Sequence, residues 1–311
     1  MTPGSPRPAA VGLVLALVAW AAPLGAQSPD APDRADAAPG DAGMEADGLD
    51  DWRFPVGERL EYSVTWGGAR IGRSVLAVEA IDTLSAMPVY RASLQTDAGP
   101  PFYRLEDRLT SWIRPEPFAT RRFDQKLRQG GYQRDRRHEM DLGASTYTRY
   151  DLKEDGYVAH EEEAEVPMPA GALDDVAYFY FVRLLDLELG ERHEFERYFK
   201  DSGNPVVLEV LRREEIRVPA GTFETIVVRP IIQTDGIFSE GGEAELFLTD
   251  DERRLPVRVK TRLAIGTANF FLTDYDPGES GALIDTAGGD AAGATPPDAA
   301  GATPPDAAGS P

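Results

Sequence analysis

Three carboxylates stand side by side in the segment FLTDDERRLPVRVKT, at Asp250, Asp251 and Glu252. Adjacent acids could bind a divalent cation or act as the acid and base of an enzyme. The segment, however, lies between two runs in which apolar and polar residues alternate, and aspartate favours turns because its side chain bonds the nearby backbone. Pro256 suits a strand that begins at that point. We therefore predict that the three acids form a chain reversal, not a catalytic or metal site.

The segment GGARIGRS, residues 67–74, differs from the phosphate-binding loop G-x-x-x-x-G-K-[ST] only in having Arg73 at the lysine position. That loop works because a helix N-terminus follows it and aims backbone N–H groups at a phosphate. Here the continuation, VLAVEAI, has the character of a strand. We interpret the match as a coincidence.

The other candidate ligands and nucleophiles are scattered. His138, His160 and His193 stand alone, and none has a second histidine at metal-ligand spacing. The acidic run EEEAE, residues 161–165, lacks the loop pattern of tight calcium sites and fits a solvated surface. The chain has no cysteine and no G-x-S-x-G motif. A carboxylate pair for glycoside hydrolysis stays open, because its spacing is set in space and not in sequence. We predict no catalytic residue, no metal ligand and no cofactor.

An arginine-rich segment covers residues 121–137. The acids Asp124, Asp135 and Glu139 are its neighbours, and they favour cross-strand ion pairs of small individual value. The alternative is a patch for an anionic head group or an acidic partner. We prefer the ion pairs, since most surface charge runs are merely solvated. The arginines are Arg121, Arg122, Arg128, Arg134, Arg136 and Arg137.

The first 26 residues have the layout of a secretory signal. Arg7 precedes the apolar run AAVGLVLALVAWAA, residues 9–22, and small residues follow up to Ala26. The run is shorter than the roughly 20 apolar residues that a transmembrane helix needs. We predict a signal peptide over residues 1–26, cleaved after Ala26, and no transmembrane segment in the mature protein. The protein is then exported, to the periplasm of a Gram-negative envelope or, alternatively, to the medium.

Both ends of the remaining chain are polar and of low complexity. Residues 27–50 hold seven acids against one arginine, and the unit ATPPDAAG occurs at 294–301 and again at 302–309. Such segments bury too little apolar surface to order themselves. We predict a disordered acidic linker at 27–50, one folded domain at 51–278 and a disordered tail at 279–311. The net charge of −21 makes nucleic acid an unsuitable partner, and without cysteine the protein has no disulfide and no N-terminal lipid anchor.

The central region alternates with the period of β-strands. In ERLEYSVTW the residues Leu60, Tyr62, Val64 and Trp66 share one face, and the Gly67-Gly68 pair that follows suits a two-residue hairpin. Similar runs separated by Gly, Pro, Asp or Ser continue to residue 275. This pattern is typical of antiparallel sheets with one wet face.

One segment has a helical period instead. ALDDVAYFYFVRLLDLELG, residues 172–190, starts at a cap formed by Asp174 or Asp175 and ends before Gly190. Phe179 and Val182 lie almost opposite the apolar face of this helix that seals against the sheet, and Tyr178 lies between. A helix apolar on most sides is normally covered on most sides. The predicted fold is mainly β: a curved antiparallel sheet or incompletely closed β-barrel with one covering or plugging helix. The sealed face consists of Leu173, Ala177, Phe181 and Leu184.

Four blocks together resemble the DUF3108 family of exported bacterial proteins. They are FPVGERLEYSVTWGGARIGRSVLAV, LDDVAYFYFVRLLDLELGE, VPAGTFETIVVRP and LFLTDDERRLPVRVKTRLAIGTANFFLTDY, and they span residues 53–276. The resemblance implies a fold similar to the LolA and LolB envelope carriers, an incompletely closed β-barrel with helical cover over an apolar hollow. The family has no established activity, so the resemblance supplies no catalytic residue.

Three functional hypotheses follow. The first is a non-enzymatic envelope protein that holds a lipid or another apolar ligand in its half-barrel, lined by Trp66, Tyr178, Phe179 and Val182. The second is an interaction or scaffold protein with a filled core. A hydrolase of envelope polymers has the least support, since no nucleophile and base are evident. The sequence identifies no protein partner.

Export gives the first test. The signal peptide predicts that the mature protein begins at or near Gln27. N-terminal sequencing of protein from the cell envelope checks this, and a retained Met1 or Thr2 contradicts it.

Overall fold

The computed structural model describes residues 54–100, 103–232, 244–262 and 267–279. These ranges contain fourteen strands, one α-helix, α1 (Asp175–Leu184), and a short 3₁₀ helix (Asp201–Gly203). The predicted signal peptide with its cleavage point, the linker 27–50 and all of the tail beyond residue 279 lie outside the described residues. The strands are β1 (Glu58–Trp66), β2 (Ala69–Leu84), β3 (Met87–Ala98), β4 (Leu105–Arg114), β5 (Ala119–Gln129), β6 (Tyr132–Asp141), β7 (Thr146–Leu152), β8 (Val158–Pro167), β9 (Arg192–Phe195), β10 (Val206–Val218), β11 (Gly221–Ile231), β12 (Glu245–Thr249), β13 (Pro256–Arg262) and β14 (Thr267–Pro277).

The strands form one antiparallel sheet that is not closed into a barrel. Its order is β8-β7-β6-β5-β4-β3-β2-β1-β14-β13-β12-β11-β10-β9, so strands consecutive in the chain are neighbours, except for β8 and β9. The two ends of the folded region meet where β1 pairs with β14. Strands β8 and β9 stand at opposite ends of the order, and the chain between them carries α1. The predicted mainly β fold, with an antiparallel sheet, an incomplete closure and one helix, is confirmed.

Buried and more exposed residues alternate along the strands, and the buried ones form a single core. Leu60, Tyr62 and Val64 of β1 are buried, while the residues between them are exposed or half-buried. Buried residues from both halves of the sheet join one apolar cluster with the helix. The sheet curls strongly enough that the N–H of Ala220, in the turn between β10 and β11, donates to the Leu272 carbonyl of β14 at 3.0 Å, although β12 and β13 lie between β11 and β14 in the order. We call the face towards α1 the inner face.

The helix is shorter than predicted. It ends at Leu184, and Leu185 already has extended backbone, with φ −73° and ψ 144°. The prediction of a helix up to residue 189 was wrong because Leu185, Leu187 and Leu189 alternate with acids, which is the period of extended chain. Leu185 and Leu187 are buried in this extended form.

Buried hydrogen bonds fix the start of the helix. Asp174 is the cap, as one of the two predicted alternatives, and its carboxylate accepts from the N–H groups of Val176 and Ala177 at 2.7 and 3.0 Å. Two hydroxyls of the sheet also donate to this carboxylate, from Ser111 on β4 and Thr120 on β5. Burial raises the pKa of Asp174 to about 6, although these hydrogen bonds favour the ionised form. The first turn of α1 is thereby attached to β4 and β5.

A buried ion pair fixes the other end. Arg183, in the last turn, donates through both Nη atoms to the Glu58 carboxylate at 2.8 and 2.7 Å. Both side chains are buried, at 1% and 3% exposure. The guanidinium also lies 4.1 Å above the Phe54 ring and donates to the Arg253 carbonyl at 3.2 Å. The last turn of α1 is therefore tied to the first residue of β1.

This pair generates the second prediction. Glu58→Gln leaves the Arg183 charge buried without its counterion, and we expect the free energy of unfolding to fall by about 3 kcal/mol or more. The matched control is Glu61→Gln in the same strand, since Glu61 pairs with Arg59 at 2.9 Å in solvent. Its effect should stay within about 0.5 kcal/mol. Denaturant titration measures both, and equal effects would contradict a dominant role for the buried pair.

Candidate functional site

The three adjacent acids form a turn, as predicted. The Asp251 carboxylate accepts from the Thr249 hydroxyl at 2.6 Å and from the N–H groups of Arg253 and Arg254 at 3.1 and 3.2 Å. Asp250 forms ion pairs with Arg254 and with an arginine of β10. Asp250 and Asp251 thus accept from backbone and arginine donors of the turn and its neighbours. The GGARIGRS segment is likewise a hairpin that leads into β2, and no helix follows it.

Three arginines of the arginine-rich segment form ion pairs across neighbouring strands. Arg122 bonds Glu139 at 3.0 Å, and Arg137 bonds Asp124 at 2.8 Å. A third pair joins Arg128 to Asp135. The predicted cross-strand pairing is confirmed for these three arginines.

A second arginine network joins β6, β7 and β8. Glu162 forms ion pairs with Arg149, at 2.6 Å from Nε to Oε2, and with Arg134 and Arg136. Asp151 lies 3.7 Å from Arg136. Burial and the nearby Arg134 lower the pKa of Arg136. The acids of this network are thus shared among guanidinium groups.

The histidines have separate environments. His138 is buried and stacks on Phe123 with ring centroids 5.9 Å apart, and burial holds its pKa well below the usual value. His160 lies 3.5 Å from Asp151, and together with Glu162 these two residues bring ligand atoms within 4.8 Å of one another. Three arginines, Arg134, Arg136 and Arg149, already pair with Glu162 of this group, and the absence of a metal ligand stays a prediction.

The inner face contains a small cavity beside the helix. Its volume is about 30 Å³, room for about two water molecules. Strands β1 to β4, β13, β14 and the helix contribute to the wall. Six of the ten lining residues are apolar, so the cavity is a mostly apolar site with a few polar groups. The lining consists of Tyr62, Ser74, Leu76, Leu94, Thr96, Asp107, Leu109, Phe179, Val259 and Phe270.

Of the four predicted lining residues, the structure places Phe179 in this wall. Tyr178 and Val182 are buried elsewhere in the core, at 3% and 0% exposure, and Trp66 is half-buried against it. A role for any of the four in binding stays a prediction.

Asp107 is the charged group of the cavity. It is 4% exposed and lies on β4 between the buried Leu105 and Leu109. Its Oδ1 accepts from the Arg128 N–H at 3.0 Å and its Oδ2 from Gln129 Nε2 at 2.5 Å. Burial raises the pKa of Asp107 to about 6, against the effect of these hydrogen bonds.

Two arginine side chains close to Asp107 are engaged elsewhere. Arg108, the next residue in the chain, bonds Glu79 at 2.6 Å. The guanidinium of Arg128, whose backbone N–H bonds Asp107, pairs with Asp135. The Asp107 carboxylate therefore relies on two hydrogen-bond donors of β5 for its stabilisation, and not on an ion pair with either arginine.

The cavity hydroxyls bond to the protein. Ser74 Oγ donates to the Gln95 carbonyl at 3.0 Å and lies 2.8 Å from Thr96 Oγ1. The Tyr62 hydroxyl donates to the Pro256 carbonyl at 2.8 Å, and burial raises its pKa. These bonds orient all three hydroxyls.

Sequence reasoning missed Asp107 and Glu58, although a signal was present. In LEDRL, Asp107 occupies the position of an alternating strand that Leu105 and Leu109 define as apolar. In ERLEY, Glu58 precedes Leu60 by two residues and shares its face. A charged residue at an apolar position of a strand indicates a buried, bonded charge.

Residues 61–273 match a family described as a protein of unknown function, DUF3108. The chain belongs to this family. No curated protein matches the chain. Among solved structures, it is similar to a crystal structure of a beta-barrel-like protein of the domain of unknown function DUF1849 from Brucella abortus. The identity is 12%, the TM-score is 0.46, and the match covers 70% of this chain and 96% of the other.

The resemblance to the family that the sequence suggested is thus confirmed, while the likeness to the LolA and LolB carriers stays a prediction. Neither comparison names a reaction or a ligand. No helix in the described ranges is long and apolar enough to cross a bilayer.

The cavity generates the third prediction. Phe181 is 1% exposed and packs on Phe118 and Phe195, with ring centroids 6.2 and 5.1 Å away. Phe181→Ala should lower the free energy of unfolding by roughly 3–5 kcal/mol. Phe179→Ala should cost less, because the Phe179 ring already borders empty space. Paired denaturant titrations compare the two variants, and equal losses would show that Phe179 is ordinary core.

Proposed function

We propose that the protein is an exported, non-enzymatic envelope protein that binds an apolar or lipid-like ligand at the cavity beside Phe179. The supporting observation is the cavity itself, an apolar recess between the helix and the inner face. Ligand sites in proteins are typically concave and apolar, with a few placed polar groups. The signal-like segment at 1–26 supports the envelope as its location.

The size of the cavity limits how the ligand binds. At about 30 Å³ it takes the end of an apolar molecule and not a whole acyl chain. A longer ligand enters only if a wall residue moves. Leu94 is half-buried and belongs to the lining, so it is the side chain whose movement costs least packing.

A second candidate is an interaction or scaffold protein with a filled core. It is favoured by the burial of every helix residue from Val176 to Leu184. In that case the cavity is a packing defect, and partners meet the outer surface. No structural observation of this kind favours a hydrolase of envelope polymers.

The fourth prediction separates the two candidates. Protein purified from the envelope without detergent should release an apolar compound on solvent extraction, detected by mass spectrometry. It should also increase the fluorescence of N-phenyl-1-naphthylamine. Leu94→Trp fills the cavity and should abolish this increase, whereas Leu211→Trp, at a half-buried leucine of β10, should leave it unchanged.

Two results would overturn the ligand-binding proposal. One is that no apolar compound is extracted and the dye does not bind. The other is dye binding that both tryptophan variants reduce equally. Either result leaves the filled-core protein as the better explanation.

A further inference from the structure

The polar side chains of the cavity have no proton left to donate to a ligand. Ser74 has a single hydroxyl proton, and it is donated to the Gln95 carbonyl, which can only accept. The 2.8 Å contact between Ser74 and Thr96 must then use the Thr96 proton. Both hydroxyl protons are therefore bound within the protein, and only oxygen lone pairs remain for a ligand.

The other two polar side chains behave in the same way. The Tyr62 proton is donated to the Pro256 carbonyl. Asp107, when ionised, has no proton, and each of its oxygens accepts one protein hydrogen bond. A carboxylate has about four acceptor positions, so roughly two remain. All four polar side chains in the lining thus offer acceptors to a ligand.

Asp107 adds a negative charge to these hydrogen-bond acceptors. Its carboxylate is buried among apolar side chains, and two hydrogen-bond donors of β5 hold it in place. A buried charge is stabilised most by a cation that also donates hydrogen bonds. Groups that only accept, such as a fatty-acid carboxylate or a phosphate, would be repelled by the charge and would find no donor among these side chains.

We infer that the cavity takes an apolar ligand with a protonated amine at the end that enters, and that the ammonium group binds the Asp107 carboxylate. The apolar part then packs against Leu109 and Phe179. This inference rests on the proposed apolar binding and adds the chemical class of the ligand.

The test uses three probes with the same chain: hexylamine, hexanol and hexanoate. Binding to the full-length mature protein is measured at pH 7.5 by calorimetry. We expect hexylamine to bind at least about tenfold more tightly than hexanoate, the scale of one charge-assisted hydrogen bond, with hexanol between them. Asp107→Asn should remove the preference for hexylamine over hexanol. Asp124→Asn is the matched control, since Asp124 pairs with Arg137 and does not line the cavity.

The pH dependence gives a second measurement that needs no variant. Hexylamine stays protonated between pH 5 and pH 7, while Asp107 ionises as the pH rises through about 6. The affinity for hexylamine should therefore rise about tenfold over this range, and the affinity for hexanol should not. The groups that act electrostatically on Asp107 are Arg128 on β5 and Tyr103 before β4. Tyr62 is the titratable residue that β1 contributes to the lining, and α1 contributes Phe179.

The outcomes distinguish this inference from the proposed function. Equal binding of the three probes, or tightest binding of hexanoate, would overturn the amine assignment and leave apolar binding intact. If neither the probes nor N-phenyl-1-naphthylamine bind, both proposals fail. If Asp107→Asn does not unfold cooperatively, the pH dependence of the unmodified protein decides: an affinity for hexylamine that is constant from pH 5 to pH 7 contradicts the inference.

Discussion

The buried ion pair between Glu58 and Arg183 is the interaction on which the position of the helix depends. Removing two charges from water costs free energy. The pair is stable because both Nη atoms of Arg183 donate to the Glu58 carboxylate and the guanidinium lies over the Phe54 ring. Glu58 opens β1, which lies in the middle of the sheet order, between β2 and β14. The pair therefore anchors the helix to the centre of the sheet, while the Asp174 cap anchors its other end to β4 and β5. From Val176 to Val182 the helix has no charged side chain, and Phe179 lies midway along it.

Much of this fold is encoded in local sequence pattern. Alternation predicts the strands, Gly67-Gly68 predicts the first hairpin, and the apolar helix predicts a sheet curved around it. The attachment of the helix could not be predicted in this way. Glu58 and Arg183 are 125 positions apart, and Asp174 meets Ser111 and Thr120 only because β4 and β5 bring those hydroxyls to the start of the helix. The cavity could not be predicted from the sequence either, because a gap of about 30 Å³ depends on side-chain packing between elements distant in sequence.

The helix also explains why the cavity is small. A curved sheet of fourteen strands encloses space that its own side chains do not fill, and α1 occupies part of it with nine buried residues, Val176 to Leu184. Filling the interior stabilises the protein, since each buried large apolar side chain contributes about 1.5–3 kcal/mol. A ligand at the cavity therefore competes with packing, and it binds only if its own burial exceeds what the wall residues lose. This favours a ligand that inserts one end, and it places Leu94 and Phe179 where such insertion costs least.

The two charged regions near the inner face differ in how their charge is balanced. On β6, β7 and β8, the carboxylates of Asp151 and Glu162 form ion pairs with Arg134, Arg136 and Arg149, so both acids have counterions within the protein. At the cavity, Asp107 is held by hydrogen bonds from Gln129 and the Arg128 backbone, and the neighbouring arginine side chains serve other acids. The ion pairs join the three strands to one another. Burial raises the pKa of Asp107, because taking the carboxylate out of water disfavours its charged form. A cation would stabilise that charge, so the inferred amine specificity depends on Asp107.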